Sequence, residues 1–337
     1  MKPKLYLGEA IGLLMKTTPI LWVRLGSYAL LGLGLLVYFA VVGGIAWLLA
    51  QLWGFLGLIV LIAAFGGAFG IVKWVTRYYF YLLKAAHAAV MTEFIVHGQG
   101  PEGSQIAFGK QQVTDRFKDT SIMFGIDQLL DGIVKAFNRS FARMVDFLPI
   151  PGMDSLTAFI ERVSKFATTY IDEAILTRAY KEDEPNVWQV AQDGVILYAQ
   201  CWKPILANAV VLTLLSYVEF FVFLVILGVP ALAVAAVIPA LNVALGISVL
   251  VGAWMLKLAL ADAFAMAATL LAYHRSTEGL EPDPEWQGRL EQVSDQFREL
   301  KQKAQSHVAS YTDNASAAAD SASPDPDPSA ATRPADT

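Results

Sequence analysis

Charge is absent from two long stretches of this chain. From Leu25 to Val72 there is no Asp, Glu, Lys or Arg, and from Pro204 to Leu256 there is only Glu219. About 20 consecutive apolar residues cross the hydrocarbon core of a bilayer, and each stretch is more than twice that long, so each predicts a pair of membrane-spanning helices. The turn Gln51-Leu52-Trp53-Gly54 separates a first span over Leu25–Leu49 from a second over Phe55–Trp74. Gly228-Val229-Pro230 separates a third span, Ile205–Leu227, from a fourth, Ala236–Leu256, which continues as helix to Tyr273. Trp47 and Trp53 suit the aromatic belt at the membrane boundary. Gly66 and Gly70 would let a neighbouring helix approach closely.

Outside these stretches apolar residues recur with helical period. Leu7, Ile11 and Leu14 line one face of a short amphipathic helix over Leu5–Lys16 that Pro19 ends. Between Thr120 and Leu148, Met123, Ile126, Leu130, Ile133 and Phe137 form an apolar stripe. Asp127, Asp131, Lys135, Arg139 and Arg143 form a polar one, with Asp131 and Lys135 spaced for an ion pair. Pro149 to Gly152 ends that helix, and a second carries Leu156, Phe159, Ile160, Val163, Phe166, Tyr170 and Ile175 on its apolar face. Asn186 can cap a third helix, Val187–Trp202. Such a hairpin must dock on the spans, lie on lipid, or pair with another subunit. Asp283-Pro284-Glu285 is a helix start, after which Trp286, Leu290, Val293, Phe297, Leu300 and Ala304 repeat as a heptad seam. That seam predicts either packing on the chain's own hairpin or a homo-oligomer through Trp286, Leu290, Val293, Phe297 and Leu300. Beyond Ser306, Ala, Ser, Asp and Pro without apolar period predict a disordered tail.

The expected fold is therefore an all-α polytopic membrane protein with four transmembrane helices, amphipathic cytosolic or interfacial helices, and a disordered C-terminal tail. Its regions are 1–97 (amphipathic helix and first transmembrane hairpin), 98–202 (amphipathic helices), 203–275 (second hairpin), 283–305 (heptad helix) and 306–337 (tail).

Composition supports a membrane class. Of 337 residues 55% are hydrophobic and 16% charged, against roughly a quarter charged in soluble domains. The net charge of −5 has no basic patch, so nucleic acid is not an expected partner; the lipid bilayer is. Glu9, Lys16 and Arg24 interrupt the first residues, so a cleaved signal peptide is not expected. A single cysteine, Cys201, allows no internal disulfide. Neither turn between paired spans contains Lys or Arg, so all 25 basic residues fall in the N-terminal, central and C-terminal regions. The positive-inside bias then places both termini in the cytoplasm of a bacterial inner membrane.

The two halves share an order of elements. Lys16-Thr17-Thr18-Pro19-Ile20-Leu21 leads to a span pair ending near His97, and Lys203-Pro204-Ile205-Leu206 leads to one ending near His274. A true duplication would put a cavity at the repeat interface. Glu219, alone in the third span, is the first candidate for an ion or substrate pathway, since an intramembrane acid is costly. Asn242, near the start of the fourth span with Pro239, could pair with it. Lys257 and Asp262, near the fourth span's exit, can pair with each other or snorkel. No catalytic, metal or cofactor signature is present: there is no phosphate-binding loop, no His-Glu-x-x-His and no nucleophile elbow. The chain is not expected to be an enzyme.

The second half has Tyr170-Ile171 and Ala174-Ile175 in amphipathic helices, an Ala/Asn-rich return from Gln192 to Asn208, two spans, and a charged exit at His274-Arg275-Ser-Thr-Glu-Gly. In this order it resembles the C-terminal part of choline-transporter-like membrane proteins. That family's further spans and large extracellular loop have no counterpart here, so no functional residue carries over. The chain as a whole resembles small bacterial membrane proteins in which amphipathic helices precede helix pairs. Two functions follow as expectations: an oligomeric transporter-like or channel-like protein built around Glu219, or a scaffold that uses its hairpin and C-terminal helix.

Overall fold

The computed structural model describes residues 5–116, 120–145, 163, 170–181 and 186–307. Among them there is no β-strand. Four helices are long and apolar enough to cross a membrane: Thr18–Leu52, Gly54–His97, Trp202–Val237 and Pro239–Thr277. The protein is an all-helical polytopic membrane protein. Leu30, Leu33, Val37, Phe65, Phe69, Val218, Phe221 and Leu232 all point outward from these helices, as lipid-facing side chains do when every backbone group is bonded inside its own helix.

In chain order the helices are α1 (Leu7–Lys16), α2 (Thr18–Leu52), α3 (Gly54–Val75), α4 (Tyr81–His97), α5 (Gln105–Arg116), α6 (Thr120–Val145), α7 (Arg178–Lys181), α8 (Val187–Gln200), α9 (Trp202–Val237), α10 (Asn242–Leu256), α11 (Asp262–Thr277) and α12 (Pro284–Val293). A thirteenth, α13, covers 295–307. One extended residue, Trp53, turns α2 into α3. The second and fourth apolar helices each contain a π-helical turn, at Thr76–Phe80 and at Lys257–Ala261. Each half thus runs short helix, long helix, apolar helix, π turn, helix. Pro19 and Pro204 sit near the starts of α2 and α9, helices of 35 and 36 residues.

The turn expected at Gly228-Val229-Pro230 does not occur. Helix α9 runs through Pro230 to Val237, and the chain turns at Ile238 before Pro239. Pro230 forfeits one backbone bond, whereas ending the helix there would strand up to four carbonyls in an apolar setting. Proline biases the residue before it away from the α region, and Ile238, with φ −127 and ψ 80, takes the break instead.

The spans stand in an open row. Helix α3 packs on α2, α2 on α10 and α10 on α9, with no interface of comparable extent between α3 and α9. Gly57 makes the tightest contact of the first pair: a Cβ there would lie 2.7 Å from the Ala46 carbonyl oxygen and from the Ala50 methyl. Gly66 and Gly70, the expected sites of close approach, face open space.

At one end of the row, α1, α4, α6, α8, α11, α12 and α13 share a single core, built on Ile126, Ile133, Ile171, Ile196, Met266 and Tyr273. Helix α1 packs on α11. It buries Ala10 and Leu13, while Ile11, on the apolar stripe with Leu7 and Leu14, is exposed. Ile126, Leu130, Ile133 and Phe137 of α6 are buried as their period predicts, with α6 docked on α8 and α12. The heptad seam also turns inward. Leu290, Phe297, Leu300 and Ala304 are fully buried in the chain's own core, and only Val293 is exposed among the seam residues named above. The seam is not one helix, because Ser294 breaks it and its Oγ accepts from the Phe297 amide at 3.2 Å. Asp283 and Asn186 cap as expected, accepting from the amides of Glu285 and Gln189 at 2.8 and 3.3 Å. Of the second amphipathic helix only Val163 and 170–176 are described: Val163 is buried against α9, and its other residues lie outside the described set, as does the expected tail beyond His307.

Buried histidines tie this end together. His87 Nε2 meets Thr17 Oγ1 at 3.0 Å and His274 Nε2 meets Thr177 Oγ1 at 2.8 Å, Thr17 lying at the break between α1 and α2 and Thr177 at the break just before α7.

Candidate functional site

A cavity of about 500 Å3 opens where the row of spans meets this core. Arg24 and Tyr28 of α2 and the two π turns form its upper wall; α4, α6 and residues 170–173 form the rest. The sequence places a cation here because Arg24 lies on the first two turns of α2, just before the uncharged stretch begins. Its side chain is only 3% exposed. Nη2 donates to the Leu258 carbonyl at 3.0 Å. Leu258 belongs to the second π turn, and the widened backbone of such a turn leaves carbonyls available to outside donors. The guanidinium also lies 6.0 Å from the Tyr28 ring, and Tyr28 stacks on Phe80 of the first π turn, with ring centroids 3.9 Å apart.

Opposite Arg24, the wall is acidic. Lys84 of α4 forms an ion pair with Glu173 and lies 4.9 Å from the Tyr170 ring. Asp127 projects from α6 just beyond Phe124, whose ring stacks on Tyr81 at 4.7 Å. Asp172 accepts from the Glu173 amide at 2.9 Å. Burial, which disfavours the charged form, pushes Asp127 up to about 6 and holds Asp172 well above the usual carboxylate range, with the Glu173 charge adding to both. Lys84 compensates part of this acidity.

Four buried polar atoms on this wall have no hydrogen-bond partner among the described residues: Arg24 Nη1, Tyr81 Oη, Asp127 Oδ1 and Glu173 Oε2. Buried groups of this kind are rare in native proteins, since each costs roughly 1–3 kcal/mol unless something else satisfies it. Arg24 Nη1 can only donate, the two carboxylate oxygens accept, and the Tyr81 hydroxyl can do either. The arrangement suits a ligand that carries both charges. Among the described residues no three His, Cys, Asp or Glu side chains gather as a metal site.

Of the residues expected from the sequence, Glu219, Lys257 and Asp262 lie near one another and Asn242 does not join them. Lys257 Nζ and Asp262 Oδ1 pair at 3.2 Å across the second π turn, and Asp262 lines the cavity. Asn242 is exposed at the opposite end of α10. Glu219 is half-buried on α9, next to Phe220, whose ring meets Trp254 at 6.2 Å; it is not part of the cavity wall. Arg24, Tyr81, Lys84, Asp127, Asp172 and Glu173 were not singled out as site residues from the sequence. One signal was available: Asp172-Glu173 falls inside the apolar run Tyr170-Ile171 to Ala174-Ile175, where paired acids have no solvated face.

Comparison with protein-family models gives no match, and neither the curated proteins nor the solved structures contain a significant relative.

Proposed function

We propose that this chain is a transporter-like protein of the bacterial inner membrane, with four spans, both termini in the cytoplasm, and the cavity beneath Arg24 as its ligand site. The observation that carries this reading is the set of unpartnered buried donor and acceptor atoms around one cavity at the foot of the spans. Two features add to it. Both apolar helices that wall the cavity contain π turns, which often mark functional sites. The cavity sits at one end of the row of spans rather than along it, which suits alternating access better than a continuous pore. A channel-like protein would need several copies to close a pathway. A homo-oligomer would have to form through other faces than the buried heptad seam.

Reconstitution of the full chain in liposomes, with a screen of solutes and ions, tests the reading. Flux that falls in Arg24→Gln and persists in Glu219→Gln is the expected result. A well-folded protein that moves nothing, yet retains partner proteins on the membrane, would favour a scaffold instead.

A further inference from the structure

A second cavity deepens this reading and rests on it. An apolar groove of about 330 Å3 runs along the membrane-embedded faces of α2, α9 and α10, walled by residues such as Leu25, Leu36, Leu227, Val251 and Met255. It holds no charged side chain. Tyr28 belongs to the walls of both the groove and the charged cavity. Gly32 and Gly252 also line the groove, and their missing side chains keep it open: a Cβ at either would come within 3 Å of Met255 or Leu227. A hydrophobic slot thus meets, at Tyr28, a charged pocket at the membrane boundary. That is the shape of one amphiphilic molecule, with a chain among the spans and its head beneath them.

The head's chemistry follows from the unpartnered atoms. Arg24 Nη1 is a buried, permanently charged donor on the membrane side, with Arg77 on the same cavity wall. A guanidinium in that position matches a phosphate oxygen. Elsewhere on the cavity wall, Asp127 Oδ1 and Glu173 Oε2 are acceptors with no hydrogen-bond partner among the described residues, and these two carboxylates outnumber Lys84. They call for a cation that also donates N–H bonds. A primary ammonium does both, a quaternary ammonium has no N–H to give, and a glycerol head brings no positive charge. We infer that the groove and cavity together bind a phospholipid with a primary-amine head, phosphate on Arg24 and ammonium on Asp127 and Glu173.

Binding is read on the full chain in detergent by native mass spectrometry. Phosphatidylethanolamine, phosphatidylcholine and phosphatidylglycerol of identical chains are added one at a time. One phosphatidylethanolamine should be retained at least about tenfold more tightly than either other lipid, the scale expected for losing one charge-assisted contact. Asp127→Asn should erase that preference while leaving phosphatidylcholine binding unchanged; Arg24→Gln should weaken all three lipids. Leu36→Trp, which fills the groove, should weaken all three without altering the preference among them. Free phosphoethanolamine should not displace the lipid. If it displaces the lipid at equal concentration, the site takes a soluble ligand and the lipid assignment is wrong. Equal retention of the three lipids by the unmutated chain overturns the proposal, whether or not any variant folds. Because no flux is measured, a retained lipid with no transport would remove the transport reading and leave this site standing. Transport without lipid preference would do the reverse.

Discussion

Replacing Lys84 with Met tests the electrostatics of the cavity directly. The Lys84 side chain is 20% exposed and that of its partner Glu173 only 8%, so the pair is largely desolvated. Met keeps most of the stem's volume and its contact with Tyr170 but removes the cation. Glu173 then stands beside Asp172 and Asp127 with no neutralising charge. Breaking a buried pair from one side costs about 3–5 kcal/mol, whereas replacing both partners with uncharged groups is close to neutral. In a chain of this size that loss lowers the melting temperature by roughly 5–10 °C. Tryptophan fluorescence during heating of the detergent-solubilised protein measures it, and Lys84→Met/Glu173→Gln should recover most of the loss. The deficit of the single variant should also shrink in acid, because the stranded carboxylates can take up protons. A single variant that melts with the parent, or a double variant that melts as low as the single one, would refute the reasoning.

The raised affinity of Asp127 for its proton has a sign that can be checked. A carboxyl that holds its proton more tightly when folded stabilises the fold below the ordinary aspartate range, and this is lost as pH rises through about 6; melting temperature should therefore fall between about pH 4 and 6, and Asp127→Asn should flatten that slope. Gly57→Ala, which drives a methyl group into the Ala46 carbonyl, should cost about 1–3 kcal/mol, while Gly66→Ala leaves melting unchanged; equal effects would contradict the α2–α3 packing. Phe297→Ala opens a cavity in the shared core and should cost about 3–5 kcal/mol without changing the oligomeric state seen by light scattering. Dissociation of an oligomer at unchanged stability would instead put that seam between subunits.

Spans, caps and the period of α6 were legible because each is a local property. Uncharged length decides a span, one side chain decides the caps at Asn186 and Asp283, and spacing decides which face of α6 is buried. The turn after the third span was misplaced because Gly228 and Pro230 are turn residues in water, where a freed carbonyl finds a solvent partner; in an apolar setting it does not. The cavity was illegible for a different reason. Its residues run from Arg24 to Asp262, and each has an ordinary local meaning: Arg24 marks a membrane entry, Lys84 follows a span, and Asp127 opens a polar helix stripe. Only the tertiary arrangement removes their water. Glu219 drew attention because it is isolated in sequence, yet isolation along the chain does not place a side chain in a polar cavity.

The packing of α1 on α11 has a consequence for biosynthesis. These two helices come from opposite ends of the chain and meet in one core. The first hairpin must therefore enter the bilayer while the partner that will cover Ala10 and Leu13 has yet to be translated. Until the ribosome has passed Thr277, α1 has only the headgroup layer to receive its apolar side. Closure of the core is then a late, chain-completing event, and a polypeptide truncated before α11 would insert its apolar helices but leave their foot unsealed.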